Sequence, residues 1–203
     1  MSINYTVSAG VIDLRNDSPT SGDIFLVDTN VWYWITYPPA SASAQPYQIT
    51  HYPAYIASAV SNNSKLHYCG LTLAELASLI ERSEQRLSVY HALKPKEYRH
   101  NDATERRKVV REVETAWNQV TTDYAGQLDL VIDASTSSAA LNRFQTQLLD
   151  GYDLFLLETM QQQAVTQIIT DDGDYVTVPG IQVFTANQNV IIAARNQGKL
   201  ITR

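Results

Sequence analysis

The chain has 203 residues, 44% of them hydrophobic, and a formal net charge of −6, which suits one domain with a buried core and excludes a disordered chain. No apolar run reaches the roughly 18 residues needed to cross a bilayer, and Met1-Ser-Ile-Asn-Tyr-Thr lacks the basic start and apolar stretch of a secretory leader, so a cytoplasmic location and no membrane partner are expected. Cys69 is the single cysteine, which excludes an intramolecular disulfide and a cysteine-based zinc site, and His51, His67, His91 and His100 do not stand at zinc-ligand spacing.

Residues 1–23 are polar and read as an N-terminal extension, with 16–23 a turn-rich linker. Residues 24–27 form an apolar run typical of a strand buried on both faces. A helix is expected from about Asn30. Pro38-Pro39 and residues 41–46 then force an irregular loop, and Pro53 suits the first turn of a short helix ending near Ser61. Residues 65–69 read as the second strand. Thr72 is a suitable N-cap for a helix over 73–90, with Glu75 three positions on, as in a capping box. Glu75 thus carries two readings, a cap and a ligand.

A charged helical insertion occupies about 91–127, with a helix over 102–122 whose apolar positions Val109, Val110, Val113, Ala116, Trp117 and Val120 recur at helical spacing. From Arg82 to Arg111 there are nine basic residues against four acidic ones. The bland reading is a solvated charged face, and the sharper one a nucleic-acid contact through Arg82, Arg86, Arg106, Arg107 and Arg111. Beyond it come a strand over 128–132, helices over 137–149 and 152–164, strands over 167–170 and 182–185 around the turn at 178–180, and a helix over 187–196 stopped by Gly198. Strands alternating with helices predict an α/β fold: a three-layer α/β/α sandwich on a central, mainly parallel sheet, in a domain spanning 24–203.

Four acidic segments carry the chemistry: Asp28 after the first strand, Glu75 one helical turn after the second, Asp153 in the first turn of its helix, and Asp171-Asp172-Gly173-Asp174 after the strand at 167–170. Ligands of an open parallel sheet bind outside the carboxyl ends of the strands. Carboxylates that converge there without local cations repel one another unless a hard cation lies between them, and Mg²⁺ or Mn²⁺ prefer such oxygen ligands. An aspartyl-nucleophile phosphatase would want a second acid at position 30, where this chain has Asn30.

Val27-Asp-Thr-Asn-Val31, Leu71-Thr-Leu-Ala-Glu-Leu76, Tyr152-Asp-Leu-Phe-Leu156 and Ile169-Thr-Asp-Asp-Gly-Asp-Tyr-Val-Thr-Val-Pro-Gly-Ile-Gln-Val183 follow one another in an order that resembles the PIN-domain ribonucleases, including the toxin nucleases of toxin–antitoxin pairs. The resemblance covers most of residues 24–185. It implies a metal-dependent endoribonuclease, with Asp28, Glu75 and Asp153 as metal ligands and catalytic acids. Asp172 is the best match to the fourth acid and Asp174 to the acid before the aromatic residue, so the choice among Asp171, Asp172 and Asp174 stays open. Thr29 and Asn30 match the residues that support the site. The implied cofactor is Mg²⁺ or Mn²⁺, the implied substrate RNA with single-stranded DNA as the other option, and the implied partners an antitoxin and a second copy of the chain. The 27 residues before Asp28, the length of 91–127 and the Tyr- and Pro-rich loop at 37–55 depart from a minimal toxin. The alternative reading is an inactive PIN-like scaffold for nucleic acid or protein.

Overall fold

Phe25, Leu26 and Val27 are all buried, yet they feed two different cores, because successive side chains of a strand point to opposite faces. The computed structural model describes residues 3–203. Seven strands, β1 (Gly10–Asp13), β2 (Ile24–Val27), β3 (Lys65–Cys69), β4 (Gly126–Leu128), β5 (Gln167–Ile169), β6 (Gln182–Thr185) and β7 (Leu200–Ile201), make a single sheet in the order β4-β3-β2-β5-β6-β1-β7. Every pairing is parallel. Val11, Leu26, Ile168 and Val183 face one core, and Ile12, Phe25, Ile169 and Phe184 the other. Burial on both faces explains why residues 24–27 read as an unbroken apolar run.

The first face is covered by α6 (Ala134–Phe144), α7 (Gly151–Gln162) and α8 (Gln188–Asn196), through Ala140, Leu154, Leu156, Leu157, Met160, Val190 and Ala194. The second is covered by α1 (Thr29–Thr36) and α2 (Pro46–Ser61), through Val31, Trp32, Tyr52, Tyr55, Ile56 and Ala59. A third cluster, with Tyr33, Tyr37, Leu76, Ile80 and Ala116, joins α1 to α3 (Leu71–Leu87) and α5 (Ala103–Asn118). The expected three-layer α/β/α architecture is the one observed, with all its strands parallel. Among the described residues no helix is long and apolar enough to cross a membrane.

Several boundaries differ from expectation. Within the segment expected as an extension, Gly10–Asp13 forms β1, which lies between β6 and β7, with Val7, Ala9, Val11, Ile12 and Leu14 buried. The second helix begins at Pro46, where Gln45 and Gln48 form a capping box, so Pro53 falls inside it. α3 begins at Leu71 with Gly70 in the N-cap position and Thr72 buried in its first turn. Glu75 is therefore the fifth helical residue, too far in to cap, and its structural reading lapses. The expected single helix over 102–122 is preceded by the short α4 (Pro95–Asn101), and α5 gives way to a π-helical stretch at Gln119–Tyr124. The strand expected at 128–132 lies at Gly126–Leu128, while Val131 and Ile132 are exposed beyond it.

The insertion is tied to α3 by ions. Glu81 accepts from Arg99 and Arg106, and Glu84 pairs with Lys108 at 2.6 Å while accepting a hydrogen bond from the buried Tyr37 hydroxyl at 2.7 Å. Glu84→Ala would strand that hydroxyl. The expected loss is about 1–3 kcal/mol, read as a lower urea midpoint; an unchanged midpoint would show that the Tyr37–Glu84–Lys108 link contributes nothing.

Candidate active site

The chain order reverses direction at the β2/β5 seam, since β3 and β4 extend the sheet on one side of β2 and β5, β6 and β1 on the other. Such a switch point leaves a crevice at the carboxyl ends of the two strands. Val27 is in register with Ile169, so the next residues, Asp28 and Thr170, emerge side by side. The Thr170 hydroxyl donates to Asp28 Oδ2 at 2.7 Å and accepts from the Asp172 N–H at 2.9 Å, and Asp172 Oδ1 in turn accepts from the Asp174 N–H at 2.8 Å. The acidic loop is thereby folded back onto the end of β2.

Asp28 is 2% exposed and stands at the N-cap of α1 without capping it. Asp153 is 6% exposed in the first turn of α7, and its Oδ1 accepts from the buried Tyr175 hydroxyl at 2.7 Å. Neither has an ion-pair partner among the described residues. Burial pushes the Asp28 carboxyl up to about 7, with Thr170 opposing the shift and the charges of Glu75 and Asp172 adding to it. Burial likewise pushes Asp153 up to about 8, reinforced by the charge of Asp28 and opposed by Tyr175. Glu75, half-buried on α3, is raised by burial first, and then by the charges of Asp150 and Asp172 against the pull of Arg82. The Thr29 hydroxyl lies near enough to Glu75 to temper that rise, yet it does not reach hydrogen-bond geometry and is left buried without a partner. Asp172 and Asp174 are raised for the same reasons, burial foremost.

The four carboxylates thus share one electrostatic neighbourhood, Asp28, Glu75 and Asp153 each feeling the charge of Asp172. A fifth acid joins them that sequence reading did not single out. Asp150 caps α7 by accepting from the Tyr152 and Asp153 N–H groups, and its charge raises Glu75, Asp153, Asp172 and Asp174. Its position three residues before Asp153, at a helix start, was the available signal. Asp171 is set apart: its carboxylate accepts from the Tyr47 and Tyr52 hydroxyls and the Gln48 amide, at 2.9, 2.7 and 2.6 Å. Those contacts tie the acidic loop to α2 and leave Asp172 and Asp174 as the open candidates for a fourth ligand.

The basic residues divide. Arg82 and Arg86 line a cleft of about 620 Å³ together with Asn30. Arg106 is held by Glu81, Arg107 donates to Thr104, and Arg106, Arg107 and Arg111 line a different groove on α5. The structure therefore brings Arg82 and Arg86, but not the α5 trio, into the cleft that holds Asn30.

The donor set suits a hard cation: all oxygen, buried or half-buried, like-charged and without an ion-pair partner among the described residues. Among the described residues no three acidic, histidine or cysteine side chains are gathered closely enough to hold an ion as they stand, so the fit is one of chemistry and neighbourhood. The family described as "PIN domain" matches residues 25–181. A comparison with the curated proteins gives no match.

Because their carboxyls are raised, Asp28 and Asp153 keep protons in the folded chain that the unfolded chain has released. Their contribution to stability is therefore present below about pH 4 and is lost as pH rises through about 7 to 8. In EDTA the thermal midpoint should fall between pH 5 and pH 8, and fall less in Asp28→Asn; equal slopes for the two proteins would contradict the assigned shifts. Asp171→Ala should cost about 1–3 kcal/mol by stranding its donors while leaving stabilisation by Mn²⁺ unchanged. Loss of the Mn²⁺ response in that variant would make Asp171 a ligand after all.

Proposed function

Since the chain belongs to the PIN-domain family, whose members are generally metal-dependent nucleases, we propose that it hydrolyses phosphodiester bonds in RNA at the β2/β5 edge. The observation that carries this reading is the pair Asp28 and Asp153, the two most buried of the site carboxylates, neither with a cation to balance it. Asp28, Glu75, Asp153 and Asp172 would hold one or more Mg²⁺ or Mn²⁺ ions, with Asp174 as the other choice for the fourth position. Such an ion, when bound, supplies Lewis-acid polarisation of the phosphate and a more acidic water.

The remaining chemistry belongs to the chain. Thr170 and Tyr175 each fix one oxygen of Asp28 and Asp153 and leave the second oxygen of each carboxylate outside that bond. Both supports are neutral donors, which orient a carboxylate without cancelling its charge. Thr29 and Asn30, at the start of α1, offer a hydroxyl and an amide beside the first acid, and the Thr29 hydroxyl has no competing partner. No side-chain nucleophile is required.

The test is a labelled single-stranded RNA, and DNA of the same sequence, incubated with Mg²⁺ or Mn²⁺ beside an EDTA control and Asp28→Asn. Cleavage of the RNA that falls to the EDTA level in the variant is expected. A folded Asp28→Asn protein as active as the parent would refute the proposal, and a chain that binds Mn²⁺ and RNA without cutting either polymer would favour the scaffold reading.

A further inference from the structure

α3 carries more than Glu75 on its site-facing stripe. Leu79, Arg82 and Arg86 follow Glu75 at intervals of four, three and four residues, which keeps them within a narrow arc of the helix. On α1, Asn30, Tyr33 and Trp34 share a face in the same way. Leu79, Arg82 and Arg86 of the first stripe and Asn30, Tyr33 and Trp34 of the second line the 620 Å³ cleft, joined by Gln48 of α2, by His91 and Leu93 of the loop after α3 and by Pro95 at the start of α4. The Gln85 amide donates to the Leu93 carbonyl at 2.6 Å and pins that loop in place.

Three observations give the cleft a chemical character. Arg82 and Arg86 are exposed and have no ion-pair partner among the described residues, whereas Arg99, Arg106 and Lys108 of the same basic segment are engaged by Glu81 and Glu84. Tyr33 is 5% exposed and lines the cleft with its ring, its hydroxyl being buried and without a hydrogen-bond partner among the described residues. Trp34, half-buried, lies against Tyr52 with ring centroids 5.3 Å apart and contributes to the cleft wall. An anion would meet two guanidinium groups with no carboxylate bound to them, Arg82 giving only its Nε–H to the Ser78 carbonyl, and a flat ring would meet an indole backed by a tyrosine. The volume falls within the range of about 300–1,000 Å³ usual for small-molecule sites.

We propose that the α1/α3 cleft is a nucleotide subsite of this chain, receiving one unpaired nucleotide of the substrate with its base against Trp34 and its backbone phosphates on Arg82 and Arg86. This rests on the nuclease reading for its place in catalysis, Glu75 and Asn30 joining the cleft to the acid edge. A paired base in a duplex is stacked and cannot enter a cleft between two helices without being unpaired. A single strand offers base faces and phosphates together, and stacking on an aromatic wall tolerates any base.

The test separates the cleft from the chemistry by measuring binding without cleavage. A fluorescein-labelled 10-nucleotide single-stranded RNA is titrated in EDTA against the full chain, Arg82→Ala/Arg86→Ala, and Trp34→Leu, with a duplex of the same sequence in parallel. The double variant is expected to bind about tenfold or more weakly, with the slope of log affinity against log salt reduced by about 1.4, the value for two phosphate contacts on a single strand. Trp34→Leu should weaken binding about fivefold or more; because Trp34 also packs on Tyr52, Arg86→Glu serves as an independent surface variant and should weaken binding as well. Unchanged affinity and slope in both arginine variants, or a duplex bound as tightly as the single strand, would overturn the proposal. Cleft-dependent binding without cleavage on adding Mn²⁺ would uphold the cleft and refute the nuclease reading, whereas Mn²⁺-dependent cleavage with no change in the arginine variants would do the reverse.

Discussion

Everything at the candidate site follows from one bond across one seam, the Thr170 hydroxyl on Asp28. In a sheet whose strands all run the same way, every carboxyl end emerges at one edge, and only there can residues from distant parts of the chain meet without crossing the sheet. The pairing of Val27 with Ile169 fixes which residues emerge together. A slip of one residue would send Phe25, Leu26 and Val27 to the wrong faces, so the two cores that hold β2 also hold Asp28 beside Thr170. The register is a packing property, and the site inherits its geometry from it.

Two groups stand out among the chain's 21 acids. Asp13, Asp17, Asp23, Glu81, Glu84 and Glu158 each sit with an arginine or lysine, and their role is to join segments: Arg203 binds Asp17 and Asp23 while lying over the Phe184 ring, and Arg143 meets Glu158 between α6 and α7. Asp28, Glu75, Asp150, Asp153, Asp172 and Asp174 have no ion-pair partner among the described residues and lie in reach of one another's charge. Neutral hydroxyls and N–H groups hold several of them instead. That choice costs stability, since desolvated carboxylates disfavour ionisation. It leaves the carboxylates open to a cation, a place that an arginine would have taken. Asp171 shows the intermediate case, an acid inside the loop whose carboxylate is held by three donors from α2.

Much of this was legible in the sequence because both-face burial leaves an unmistakable apolar run, and because a carboxylate directly after such a run has few places to point. β2 was readable on that ground, and with it Asp28, while β3, β5 and β6 were readable as short strands set between helices. β1 was not. Gly10-Val-Ile-Asp13 is short, sits in a polar segment, and owes its strand state to the two neighbours it fits between, a tertiary cause with no local mark. The capping-box reading of Glu75 failed for a related reason: Leu71 packs against the core, so the helix starts before Thr72 can cap it. Asp150 caps its own helix, which taken alone accounts for an acid at that position. Its second role appears only when α7 is set against the β2/β5 edge.

The charged segment after α3 illustrates the same limit from the other side. Composition marks it as basic, but composition cannot say which cations are free. Glu81 and Glu84 lie on the side of α3 roughly opposite Glu75, Arg82 and Arg86, at 100° per residue. They engage Arg99, Arg106 and Lys108 from α4 and α5. The insertion therefore acts as a brace on the back of α3, and its pairing fixes the rotation of the helix about its own axis. That rotation decides where the front stripe points. With the back held by ions and the N-terminal half packed at Leu76 and Ile80, Glu75 is directed to the acid edge and Arg82 and Arg86 to the cleft beside it. The basic residues that sequence places together thus split into a set that builds the helix's position and a set that the position leaves available.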